Sequence, residues 1–176
     1  MRLSILLLVL GTLLSCTANK PEDYFNRAIL NTNLLVSFIG DGMQRELASP
    51  SSRLNKDGSI GSMTAAEVLE MRADAVRESL KKVRGLEVTD ETKAMLQTSI
   101  ALHETVLESA DGEYAKLAKL YDSKASQDVV DAEAARIAEK YHARMATLHN
   151  SLISIGKVYA AAHEIPVQWD VQTSPR

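Results

Sequence analysis

The four histidines are the residues in this chain best suited to chemistry, and their spacing limits what they can do. His142, His149 and His163 each follow an apolar residue of one helical stripe by one position (Tyr141, Leu148 and Ala162). Seven residues of helix separate the first two by about 10 Å, too far for both to grip one ion. His103 is different, because it occupies a stripe position on an earlier helix. If the intervening turn centres near Lys124, antiparallel pairing puts residue 103 opposite about residue 145, within a turn of His142. Glu139 and His142 form a Glu-x-x-His pair, the spacing that carboxylate-bridged di-iron bundles use to place two ligands on one face. Such centres need a second pair and two more glutamates, and this chain has one pair. The expectation is therefore no metal and no cofactor, with His103 a core residue hydrogen-bonded to a neighbour. A metal or small-ligand site of His103, His142 and Glu139 stands as the alternative.

Other motifs carry less. Asn55-Lys56-Asp57-Gly58-Ser59-Ile60 matches the middle of a calcium-binding EF-hand loop, but Arg53 and Thr64 fill the outer positions where chelating carboxylates are required. A plain Asp-Gly turn is expected there. Ser79-x-x-Lys82 and Ser154-x-x-Lys157 repeat the serine–lysine spacing of penicillin-binding enzymes without the companion motifs. No phosphate loop, Gly-x-Ser-x-Gly elbow or dinucleotide fingerprint occurs, and the methionines are scattered like core fillers. The 20 Lys and Arg against 23 Asp and Glu leave a net charge of −3, with no basic footprint for nucleic acid. No catalytic residues are assigned.

The N-terminus carries an address. Met1-Arg2 is a minimal positive segment, and Leu3 to Leu14 is an apolar run too short for the roughly 20 residues of a membrane-spanning helix. Leu13-Leu14-Ser15-Cys16 follows, and it resembles the lipobox of bacterial lipoprotein precursors. The resemblance implies cleavage after Ser15 and acylation of Cys16, the only cysteine in the chain. With Thr17 in place of the Asp associated with inner-membrane retention, it implies the periplasmic leaflet of the outer membrane. An acylated Cys16 leaves no thiol for disulfides, nucleophilic attack or zinc. Thr17 to Lys20 reach at most about 14 Å, so the folded body would sit close to the membrane.

Four helical stretches must position whatever the chain presents. The first is expected from Pro21 to Leu47, with Asn31-Thr32-Asn33 interrupting its apolar face and Gly40-Asp41-Gly42 able to kink or end it. Residues 49–63 read as a loop. Thr64 and Glu67 form a capping box for the second helix, which carries Leu69, Ala73, Val76, Leu80 and Val83 and stops at a left-handed Gly85. The third runs from near Thr89 to Tyr121 straight through Asp111-Gly112, because its stripe keeps phase on both sides. The fourth carries the seam Ala134, Ala138, Tyr141, Met145, Leu148, Leu152, Ile155, Tyr159 and Ala162, and Pro166 ends it. The tail that follows alternates like a strand, holds the only Trp and is expected to dock back on the bundle.

These readings give an all-α protein, an up-down-up-down antiparallel four-helix bundle with a short C-terminal tail. Its parts are a signal peptide at 1–15, a lipidated Cys and tether at 16–20, the bundle at 21–165 and the tail at 166–176. The expected role is non-enzymatic, a lipid-anchored module that contacts another envelope protein as accessory, inhibitor or immunity factor.

Overall fold

The computed structural model describes residues 19–54 and 56–169. Helix makes up 74% of it and strand 4%, so the protein is all-α. The expected signal peptide at 1–15, Cys16 and the end of the tail beyond Trp169 lie outside the described residues.

The expected first helix is not one helix. It divides into α1 (Pro21–Ala28), a 3-10 turn (Leu30–Leu35), α2 (Val36–Ile39) and α3 (Gly42–Ala48). The first break has a local cause: the Thr32 hydroxyl donates to the Ile29 carbonyl at 2.6 Å, in competition with the helical ladder. The second falls at Gly40-Asp41-Gly42, where a Cβ on Gly42 would lie 3.0 Å from the Ser37 Cα. The pieces bury Phe25, Ile29, Leu35, Phe38, Met43 and Leu47 almost completely.

Residues 52–62, expected as loop, form a hairpin of β1 (Ser52–Leu54) and β2 (Ile60–Ser62), antiparallel with Leu54 opposite Ile60. The Asp57 carboxylate accepts from both the Ser59 N–H and the Ser59 hydroxyl, which sets the turn and spends the carboxylate that an EF-hand reading would need. Leu54 and Ile60 remain 74% and 78% exposed.

α4 (Ala65–Arg84) opens with the expected box: the Thr64 hydroxyl accepts from the Glu67 N–H, and Glu67 accepts from the Thr64 N–H. Asp122 accepts the next two orphan donors, the N–H groups of Ala65 and Ala66, at 2.8 and 3.1 Å. One carboxylate thereby ties the start of α4 to the end of the third helical run. Gly85, expected in the left-handed region, has φ −79° and closes α4 in a right-handed turn.

The third helical run is continuous, as expected, but not regular. α5 (Lys93–Ser109) and α6 (Ala115–Asp122) are joined by a π turn over Ala110–Tyr114 that contains Gly112. The fourth run has the same build: α7 (Gln127–Ile137), a π turn over Ala138–His142, and α8 (Ala143–Ala162). The second π turn re-phases the seam. Tyr141, Met145, Leu152 and Tyr159 are buried as expected, but upstream the buried stripe passes through Val130 and Ile137, while Ala138 is exposed. The π turn lies between Ile137 and Met145, where the buried stripe advances in steps of four, 137-141-145. The tail docks as expected, with Trp169 edge-on to Phe25 at 5.9 Å between ring centres.

Both long runs end in left-handed non-glycine residues, Lys124 (φ 54°) and Glu164 (φ 53°). Each sits in a Schellman closure: Ala125 N–H bonds the Leu120 carbonyl, and Ile165 N–H bonds the Ala160 carbonyl. The conformation is costly for an L-residue with a side chain. Lys124→Gly and Glu164→Gly should each stabilise the fold by about 0.5–1 kcal/mol after allowance for the looser unfolded chain, as read by urea denaturation.

Candidate functional site

His103 is fully buried on α5. Its Nδ1 lies 2.8 Å from the Ser99 carbonyl, which can only accept, so Nδ1 carries the proton. Nε2, 3.0 Å from the Ser79 hydroxyl, is then the acceptor. The Ser99 hydroxyl in turn donates to the Ala28 carbonyl at 2.9 Å, an orphan acceptor at the end of α1. A line of buried bonds thus joins α1, α5 and α4 through a neutral imidazole. Burial pushes the His103 pKa below its ordinary value, against a smaller upward pull from the Ser99 carbonyl.

The alternative site of His103, His142 and Glu139 does not assemble. The contacts Glu113 to Tyr141 and Glu91 to His163 both centre the pairing of the third and fourth runs at residue 127, not 124. The reason lies at the start of α7, where residues 126–129 are exposed and pass beyond the end of α6 before pairing begins. Residue 103 then stands level with about residue 151, roughly 13 Å of helix rise from His142. Both nitrogens of His103 are engaged, and Glu139 is exposed. Among the described residues no three His, Cys, Asp or Glu side chains are placed to hold a metal ion. His163 bonds Glu91 at 2.6 Å and tilts over Tyr159. His149 is half-buried, and its pKa is lowered by that burial.

The most concentrated chemistry lies elsewhere, where the two π turns face each other. Glu113, only 8% exposed, accepts from the Tyr141 hydroxyl at 2.6 Å and from the Lys140 ammonium at 2.9 Å. The Tyr141 bond, then the Lys140 bond, holds the Glu113 carboxyl down to about 2. Lys140 also lies 4.8 Å from the Tyr141 ring centre. Beside this clamp Tyr114 packs edge-on to Phe38 at 5.5 Å and approaches His142 Nε2 at 3.4 Å. Burial lowers the His142 pKa, with Asp41 pulling it back, and the same burial raises Tyr114 well above its ordinary value. π turns recur at functional sites because the added residue re-aims side chains. Here they re-aim a carboxylate, an ammonium and two phenols into one interhelical lock. Sequence reasoning passed over Glu113, Lys140 and both tyrosines as partners. The only signal was Asp111-Gly112, a turn dipeptide inside a stripe that kept its phase.

Comparison with known protein families, with curated proteins and with solved structures finds no match. The residues therefore carry the functional argument.

Both clusters lose stability in acid, but in different windows. A histidine with a lowered folded pKa takes up a proton more readily when unfolded, so stability falls as pH drops below about 6.5. His103→Gln should flatten that slope between pH 7 and 5, and should cost about 1–3 kcal/mol at pH 7 by leaving the Ser79 and Ser99 line incomplete. The Glu113 contribution is present above the ordinary carboxyl range and is lost as pH falls from about 4.5 towards about 2. Tyr141→Phe should cost about 1.5–3 kcal/mol at neutral pH by denaturant titration, with the deficit shrinking across that acid window.

Proposed function

We propose that the chain is a lipoprotein of the outer membrane, acylated at Cys16 and held on the periplasmic leaflet, that acts by contact with another envelope protein and not by catalysis. We read its body as an up-down-up-down bundle whose first member is the broken run α1 to α3. The placement rests on Leu13-Leu14-Ser15-Cys16, which lies outside the described residues.

One observation supports a contact role: four polar side chains of the interior, Ser79, Ser99, His103 and Glu113, are used to join helices. His103, Ser79 and Ser99 bond one another or a neighbouring backbone, and Glu113 is held by Tyr141 and Lys140. Among the described residues no buried side-chain nitrogen or oxygen lacks a partner. None of these four side chains lines the surface grooves beside Arg84, Asp111 or Trp169, where a nucleophile or general base would have to meet a substrate. Against this spent interior, the surface keeps large apolar groups exposed, Leu54 and Ile60 on the hairpin and Val129 and Val158 on the last helical run.

Two measurements test the proposal in a Gram-negative host. The intact mass of the membrane-extracted protein should show loss of residues 1–15 and acyl chains on Cys16; an unmodified thiol overturns the anchoring. Photo-crosslinking residues at 54, 129 and 158 should each give discrete adducts with an envelope protein, which Cys16→Ser reduces by releasing the body from the surface. Adducts with abundant background proteins alone overturn the contact role.

A further inference from the structure

A groove of about 500 Å³ lies between the N-terminal pieces and the docked tail. Leu30 and Val36 form one wall, Ile153 and His149 of α8 the floor, and Val167 to Trp169 the other wall. Both aliphatic residues of the first wall are open to solvent, Leu30 at 41% and Val36 at 49% exposed. The opposite wall is fixed by the edge contact of Trp169 on Phe25. This volume lies within the usual range of small-ligand sites, and the lining mixes these apolar groups with Asn33, His149, Asn150, Lys157 and Gln168.

The charge in the groove is one-sided. The chain as a whole is acidic, with a net charge of −3, yet no acidic residue lines this groove. Lys157 stands on its rim with its ammonium 5.6 Å from the indole centre of Trp169, and no described carboxylate pairs with it. Among the described residues this ammonium meets no carboxylate, and at the edge of a groove more apolar than polar it fits a ligand with an apolar chain and an anionic head.

From this arrangement we infer that the groove binds a single-chain carboxylate amphiphile, a long-chain fatty acid, with its chain along Leu30, Val36 and Ile153 and its carboxylate at Lys157. The site stands apart from the anchoring reading and needs no acyl group on Cys16.

Trp169 is the only tryptophan in the chain, so its fluorescence reports on the groove alone. The chain from residue 16 onward with Cys16→Ser keeps every contact described here, since all of them lie within residues 19–169. It should be titrated with dodecanoate and with dodecyltrimethylammonium, each below its micelle concentration. Dodecanoate should give a saturable blue shift at one equivalent per chain and bind about tenfold more tightly than the cation. Lys157→Gln should abolish that preference, and Val36→Glu, a change at an exposed rim position, should weaken dodecanoate about tenfold or more. A non-saturable response, equal affinity for the two head groups, or a response to dodecanoate only after residues 170–176 are removed overturns the inference. The last outcome would give the groove to the chain's own C-terminus. None of these results bears on whether Cys16 is acylated.

Discussion

A polar group sealed from water must find a partner inside the protein, and in this chain one such demand organises the core. The broken first run ends α1 with an unpaired carbonyl at Ala28, which only a donor from another element can satisfy. Ser99 supplies it, and the helix that carries Ser99 places His103 one turn on, where Ser79 of α4 completes the line. Apolar contact alone would let these elements slide along one another. Directional bonds at 2.8 to 3.0 Å fix their relative height. The close seat of Gly156 on Ile29, where a Cβ would come within 3.0 to 3.1 Å of the isoleucine side chain, holds the same junction from the α8 side.

The paired π turns solve a second problem of register. Two runs of thirty or more residues, packed antiparallel, can shift by a turn and still meet apolar side to apolar side. A widened turn in each run, set at the same level, admits only one alignment. Glu113 with Tyr141 and Lys140 is the bond set that this alignment creates. Because the carboxylate is nearly covered while Lys140 stays at the surface, the lock sits at the boundary between core and solvent. There its charges are partly desolvated yet not stranded.

What could be read from the sequence was what depends on near neighbours. Thr64 and Glu67 announced the start of α4 because a capping box spans four residues and needs nothing distant. The uninterrupted third run was legible from the phase of its stripe, and the docking of Trp169 from its lone apolar bulk in a tail. The breaks in the first run were less so: Asn31-Thr32-Asn33 signalled weakness, but whether helix survives there depends on a Thr32 bond and on a serine 71 residues away. Register was the largest error, since a turn centre estimated at Lys124 ignores the exposed opening of α7. That shift of a few residues separated His103 from His142 and dissolved the imagined ligand set. It also hid Glu113 and Tyr141, whose partnership exists only at the true alignment.

The short hairpin and the start of α1 occupy opposite poles of the body. α1 begins beside Tyr159 and the docked tail, at the far end of α8, whereas the hairpin leads into α4 where that helix meets Asp122. α4 alone measures about 30 Å. Fastened by its first residues to any surface, this molecule would act as a spacer, carrying two bare aliphatic side chains a fixed height above the plane that holds it.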